Sequence, residues 1–222
     1  MLGESILTNN LCLVVMIAGL LTCTVYSSAK ADDNTCTKLV KVVIKTSFGD
    51  IHVDVDGEHA PLTATNFMKY VDKGFYKDGR FHRTVKMDNQ PDKKVKIEVI
   101  QAGANPAFER RGFKPIKLER TNKTGLKHTD GAISMARDSA DTATSDFFIC
   151  IGDQPELDFQ GKRNPDGQGF AAFGKVTSGM DIVKKIQSQP FKEQTLTPPV
   201  KIIDIIREKV PMPAKPRGAG TE

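Results

Sequence analysis

Short runs of β-branched and aromatic residues, punctuated every few positions by Gly, Pro, Asn or Asp, fill the middle of this chain and constrain its fold more than any other feature. Residues 39–46 (LVKVVIKT) and 50–55 (DIHVDV) are two such runs joined by Ser47, Phe48 and Gly49, which reads as a hairpin. Further runs lie at 79–83, 95–103, 132–136, 147–151, 170–176 and 200–206. Only two segments carry apolar residues at helical spacing. Residues 61–71 have Pro61 where a first turn tolerates it and Gly74 placed to stop the helix, with Leu62, Phe67, Tyr70 and Val71 as the expected packing face. Residues 180–187 repeat the pattern through Met180, Val183 and Ile186. About eight short strands interrupted by two helices predict a mainly β fold, an eight-stranded antiparallel barrel capped by two helices.

The connections differ in character. Residues 86–94 are polar and contain Pro91, which a central strand would reject, so they read as a loop. Residues 105–117, with Pro106, Pro115 and the pair Arg110 and Arg111, read as an exposed loop, and residues 137–146 as a hydrogen-bonding loop rich in Asp, Ser and Thr. A turn-rich stretch follows at 161–169. In the strand at 79–83, period-two alternation sends Phe81 and Arg83 to one face and His82 to the other.

The two ends read differently from the middle. Residues 5–29 carry no charge, residues 11–21 are almost wholly apolar, and small residues at 27–31 offer a cleavage point, so residues 1–31 read as a signal peptide ending at Ala31. The run lacks a positive leading region and is long enough to span a bilayer, which makes an uncleaved anchor the alternative. The expected location is exported and periplasmic, or membrane-anchored facing the periplasm. The Pro-rich end, residues 210–222, reads as a disordered tail beyond a domain at 38–209. Formal net charge is +5, of which the end from Lys209 onward supplies +2. The remainder is too small for a nucleic-acid footprint, and no nucleic-acid partner is expected. Cys36 and Cys150 lie beyond the leader, and Cys150, inside an apolar run, reads as buried and unpaired.

Most chemistries lack their residues. His52, His59, His82 and His128 are scattered, with no Cys or Glu at ligand spacing, and Asp138, Asp141 and Asp146 lack the glycine and closing Glu of a calcium loop. No phosphate-cradling Gly pattern and no Gly-x-Ser-x-Gly elbow is present. Neither a metal nor a cofactor is expected.

The order of short motifs is more specific than any one of them. Phe81-His82-Arg83 is followed by Gln101-Ala102-Gly103, Ser134-Met135-Ala136, Phe147-Phe148-Ile149 and Phe173-Gly174-Lys175-Val176, with residues 60–67 (APLTATNF) ahead of them. In this order the chain resembles the cyclophilin family of peptidyl-prolyl isomerases over roughly residues 38–209. The long connection after Phe81-His82-Arg83 and the turn at 164–167 (NPDG) resemble the bacterial exported branch.

The resemblance implies a cyclophilin-like barrel, an isomerase that rotates Xaa-Pro bonds during folding of exported proteins, and unfolded or extended Pro-containing polypeptides as partners of a monomer. It implies Arg83 as the catalytic cation. It also implies a peptide-binding surface of Phe81, Val99, Gln101, Ala136, Phe148 and Leu157, with Gln101 positioning the arginine and Ala136 leaving room for extended peptide backbone. Several positions depart from the family pattern: Glu98 and Glu156 replace pocket aromatics, Phe170 a His, Asp146 a Gln and Arg137 an Asn. Buried unpaired carboxylates are costly, so Glu98 and Glu156 either face solvent or pair with Arg83 or Arg137. A polar pocket keeps a second reading open, a peptide-binding module or chaperone with little or no turnover.

Overall fold

The hairpin predicted at the start forms as β1 (Leu39–Thr46) and β2 (Gly49–Asp56), paired from Leu39 with Asp56 to Thr46 with Gly49. The computed structural model describes residues 38–208, and the expectations of a leader at 1–31 and a tail at 210–222 lie outside the described residues. After β1 and β2 come α1 (Pro61–Asp72), β3 (Arg80–Val85), β4 (Val99–Gly103), a single-turn α2 (Thr121–Thr124), β5 (Ala132–Met135) and β6 (Phe147–Cys150). The chain continues through β7 (Ala171–Ser178), α3 (Met180–Gln187), the two-residue β8 (Phe191–Lys192) and β9 (Thr195–Arg207).

Eight strands close a barrel in the order β1-β2-β7-β5-β6-β4-β3-β9, with β9 pairing back onto β1. Every pairing is antiparallel. Closure removes the unpaired edges that an open sheet of this size would expose. β8, unforeseen in the sequence, pairs only with the start of β9, and this hairpin extends β9 well upstream of the run at 200–206.

The barrel interior is predominantly apolar. Val42, Ile44, Ile51, Val53, Ile100, Ile133, Met135, Ile149 and Phe173 pack there with Phe67 of α1 and with Val183 and Ile186 of α3. Phe67 lies within 5.1–5.5 Å, centroid to centroid, of Tyr76, Phe147 and Phe173. The expected packing face of α1 holds at Phe67, Tyr70 and Val71 and fails only at Leu62. Leu62 is 52% exposed, whereas Ala64, Phe67, Met68, Tyr70 and Val71 are buried, a stripe spaced by three and four residues that leaves Leu62 on the solvent side. The first turn of α1 is held from outside the helix. The Glu119 carboxylate accepts the backbone N–H groups of Leu62 and Thr63 at 3.1 and 2.8 Å and the Thr63 hydroxyl at 2.7 Å. That supplies acceptors and negative charge where a helix N-terminus needs both.

The region at 105–117 is largely exposed, as expected, but it carries structure of its own. A 3₁₀ turn covers Pro106–Arg111, Phe113 packs edge-on against Tyr70 at 4.9 Å, and Ile116 bridges to Ala143. Cys150 is a free, fully buried thiol on β6, and burial pushes its pKa far above the ordinary value.

Candidate active site

The site begins with an irregularity in β3. Phe81 pairs with Ala102, yet Arg83 pairs with Gln101, the residue next to Ala102, so β3 spends one extra residue there as a bulge. The register against β9 also shifts at this point, but there the extra residues lie on β9, where Phe81 pairs with Val200 and Arg83 with Thr195. Alternation is therefore interrupted, and Phe81 and Arg83 fall on opposite faces of the sheet instead of sharing one. Phe81 is 0% exposed inside the barrel, with its ring 6.1 Å from that of Phe147. It lines no part of the cleft, which corrects its assignment to the peptide-binding surface. Arg83 points outward into an open cleft of about 460 Å³ on the outer face of β3, β4 and β6.

Two glutamines hold the Arg83 guanidinium. Its Nε and Nη2 donate to Gln194 Oε1 at 3.0 and 2.6 Å, and its Nη1 donates to Gln101 Oε1 at 3.1 Å. Gln101 in turn donates from Nε2 to Asp146 Oδ2 at 3.3 Å, which turns its carbonyl oxygen toward the arginine. Gln194 is anchored at its other end, donating from Nε2 to the Asn89 carbonyl at 3.1 Å, while its own carbonyl accepts Thr84 N–H at 2.8 Å. Of the five N–H bonds of a guanidinium, three are used here, and two remain without a partner among the described residues. Burial lowers the Arg83 pKa, but an arginine remains charged at neutral pH. Asp146 occupies the space that a side chain at Gly103 would fill, so the glycine of Gln101-Ala102-Gly103 has a steric reason.

Beside the arginine lies an apolar floor. Val85, Ile97, Val99, Phe148 and Leu157 form one buried cluster with Ala136 and Phe170 packed against it. Phe148 is 4% exposed and is fixed from two sides, stacked on His128 at 5.9 Å and edge-on to Phe170 at 5.4 Å. His128 is itself buried, with Nε2 2.9 Å from Ser134 Oγ and Nδ1 2.8 Å from Asp158 Oδ1. Burial alone would raise the Asp158 pKa, but its bonds with His128 outweigh that and hold the carboxyl below its ordinary value. A neutral apolar surface thus rests on a satisfied polar network. The opposite wall, residues 136–146, is tied to the barrel where Asn66 Nδ2 and Tyr76 Oη donate to the Thr144 and Ser145 carbonyls, both at 2.6 Å.

The structure brings Arg83, Val99, Gln101, Ala136, Phe148, Leu157 and Phe170 around one cleft. It leaves out Glu98 and Glu156. Glu98 faces away from the cleft and accepts a long 3.4 Å bond from Gln187 of α3, because it alternates with Ile97 and Val99, which face the cleft. Glu156 accepts the Lys162 backbone N–H at 2.7 Å, closing the turn-rich stretch after it. Neither carboxylate pairs with Arg83 or Arg137. Arg137 instead binds Asp166 at 2.8 and 3.1 Å and the Gly169 carbonyl, with its guanidinium carbon 5.0 Å from the centre of the Phe170 ring.

Three residues of the site escaped the reading of the sequence. Gln194 lies 111 positions from the arginine it holds, in a hairpin that carried no recognisable signal. Ile97 lies just ahead of β4, in the run at 95–103, where nothing local says which alternate residues face the cleft. Arg163 reaches the cleft from the turn-rich stretch, donating to Gln90 Oε1 at 2.8 Å and the Val95 carbonyl at 2.7 Å.

A cation at the edge of an apolar surface, with an open cleft above both, matches the expected pattern, and comparison with known proteins agrees. The family model described as cyclophilin type peptidyl-prolyl cis-trans isomerase/CLD matches residues 41–207. Peptidyl-prolyl cis-trans isomerase A of Dickeya dadantii is 35% identical over 175 residues, covering 78% of this chain and 83% of that protein. Peptidyl-prolyl cis-trans isomerase B of Escherichia coli is 35% identical over 172 residues, covering 76% and 97%. Among solved structures, a cyclophilin type peptidyl-prolyl cis-trans isomerase of Cryptosporidium parvum shares the fold, with a TM-score of 0.62 at 23% identity over 78% of this chain and 99% of that one. A second structure of that protein, determined in the presence of the dipeptide Ala-Pro, gives a TM-score of 0.61 at 23% identity over 77% of this chain and 99% of that one. The chain belongs to the cyclophilin-type peptidyl-prolyl cis-trans isomerases.

Proposed function

We propose that this protein accelerates the cis–trans interconversion of Xaa-Pro bonds in extended or unfolded polypeptides, with Arg83 as its catalytic group. The observation that carries the reading is the Arg83 guanidinium, oriented by Gln101 and Gln194 and directed at a cleft whose floor can take a proline ring. Rotation about a peptide bond faces a barrier of about 18–20 kcal/mol because the planar amide loses its resonance. In the planar amide the nitrogen lone pair is delocalised and accepts poorly. As the bond twists, the nitrogen becomes pyramidal and a real acceptor, so a fixed donor interacts more strongly with the twisted state than with either planar isomer. The two uncommitted N–H bonds of Arg83 supply that donor. Val99, Ile97, Phe148 and Leu157 hold the ring while the preceding carbonyl turns. No covalent intermediate is required. The alternative of a binding module without turnover drew on carboxylates in the pocket, and Glu98 and Glu156 lie outside it.

The apolar run at residues 11–21 supports a further reading, that the substrates are exported proteins folding in the periplasm. Spontaneous proline isomerisation takes tens to hundreds of seconds, slow enough to limit folding. The decisive experiment measures cis-to-trans conversion of a short Xaa-Pro peptide by the wild type and by Arg83→Ala. We expect wild-type acceleration and a fall of about 100-fold in kcat/KM for the variant, as for removal of one transition-state donor. Undiminished acceleration by a folded Arg83→Ala protein would overturn the assignment.

A further inference from the structure

The cleft carries more cationic than anionic side chains. Arg83 from β3, Lys93 from the 86–98 connection and Arg163 from the 159–169 stretch line it together with Asp138 and Asp146. The remaining cation, Arg137, is already neutralised by Asp166. Arg163 joins the two long connections through Gln90 and Val95, and both acceptors are uncharged. Arg83 is likewise bonded only to neutral glutamine oxygens. Among the described residues neither guanidinium, nor the exposed Lys93 ammonium, has a carboxylate within ion-pair distance. Burial, and then the charge of Arg83, lower the Arg163 pKa, so the two guanidinium groups repel one another across a partly desolvated space. An anion placed beside them would relieve that repulsion and gain more than it would on an open surface.

We propose that the cleft selects Pro-containing peptides carrying an acidic side chain within one or two residues of the proline, with Arg163 and Lys93 as the specificity-determining groups. The proposal rests on the peptide-binding and isomerase reading of the same site. An extended chain advances about 3.3–3.6 Å per residue, so a side chain one or two positions from a proline seated on Phe148 reaches the walls of a cleft this size. Asp146 stands beside Arg83, bridged to it by the Gln101 amide and 3.6 Å from His82, so it offsets part of the Arg83 charge but makes no ion pair with Arg163 or Lys93.

The test uses a panel of short peptides sharing one Xaa-Pro core, with Glu, Gln or Lys placed in turn at each of two positions before and after it. Both kcat/KM and Kd, the latter by fluorescence anisotropy, are measured at low salt. At one position Glu is expected to exceed Gln by about fivefold, as for a partly exposed ion pair, and Lys to fall below Gln. The preference is expected to drop below about twofold in Arg163→Gln, to persist in part in Arg163→Lys, to weaken in Lys93→Gln, and to fade in 0.5 M salt over about 3–8 Å of screening. Equal handling of Glu and Gln at every position, or a Glu preference that survives both Arg163→Gln and Lys93→Gln, would overturn it. A Glu preference in Kd without any turnover would leave this proposal standing and overturn the isomerase reading alone. Turnover without a Glu preference would do the reverse.

Discussion

Strands β3, β4 and β6 present two faces built on opposite rules. Inward, Phe81, Ile100 and Phe147 belong to the apolar core and are fully buried. Outward, the neighbours of those residues in the same strands, Arg83, Gln101 and Phe148, combine an apolar floor with a guanidinium whose orientation is set by named hydrogen bonds. The inner face is specified by volume, since dispersion and burial have no direction and any well-fitting set of side chains satisfies them. The outer face is specified by direction, since Gln101 serves Arg83 only while Asp146 keeps its amide turned. A single bulge at His82 lets one strand serve both, sending Phe81 in and Arg83 out.

The sharpest break of this contrast is to truncate the adjacent aromatics Phe147 and Phe148. Phe147→Ala opens a sealed cavity among Phe67, Tyr76 and Phe81 and is expected to cost about 3–5 kcal/mol in urea unfolding. Phe148→Ala also removes packing against His128 and Phe170, but the space it leaves opens onto the cleft. It should cost about 2 kcal/mol in stability, while KM for an Xaa-Pro peptide rises by about tenfold through lost apolar contact. Equal stability losses would mean that the two faces do not differ as the packing implies.

Next in size is Gln194→Ala, which removes two bonds to a charged group without touching the cleft floor. Hydrogen bonds to charged groups are worth about 1.5–3 kcal/mol each, and Gln101 still holds one edge of Arg83, so kcat is expected to fall by about tenfold with KM little changed. Gln194→Glu is expected to be no better despite restoring an acceptor, because an ion pair would draw the guanidinium charge away from the twisting amide. Wild-type kcat in Gln194→Ala would show that Gln101 alone orients the arginine.

The barrel was largely legible because each strand carries its own β-branched run and each turn its own breaker, both local signals. Phe173 reads as core by the same logic and is core. Around the cleft, Arg83, Gln101 and Phe148 stand in short ordered motifs, and they and Leu157 could be named from the resemblance. Phe81 was misplaced because alternation assumes two residues per repeat, and nothing in Phe81-His82-Arg83 announces an inserted residue. Glu98 and Glu156 were placed by position alone, but orientation at the end of an irregular connection depends on what packs behind it, here Gln187 and the Lys162 turn. Gln194 and Arg163 were invisible for a related reason. Their contacts, 111 residues and about seventy residues away in sequence, exist only once the barrel has closed.

The smallest effect tests the bulge residue itself. His82 sits between the two faces, with Nε2 3.6 Å from Asp146 Oδ2. Burial lowers its pKa below the ordinary 6.5, and Arg80 and Arg83 add to the lowering, while Asp146 acts in the opposite direction. An unfolded chain therefore takes up a proton at His82 below about pH 6.5 that the folded chain still refuses. The stability associated with His82 is present above pH 6.5 and is lost as pH falls from there toward its folded-state pKa. The imidazole resonance of His82, followed by NMR, is expected to titrate below 6.5 in the wild type. In Asp146→Asn it should titrate lower still, because the one neighbouring charge that favours its protonation is gone while an amide oxygen remains to accept from Gln101. A rise in the His82 pKa in that variant would mean that Asp146 acts on it through position rather than charge, and the line drawn between a directional outer face and a volumetric inner one would have to move to include His82.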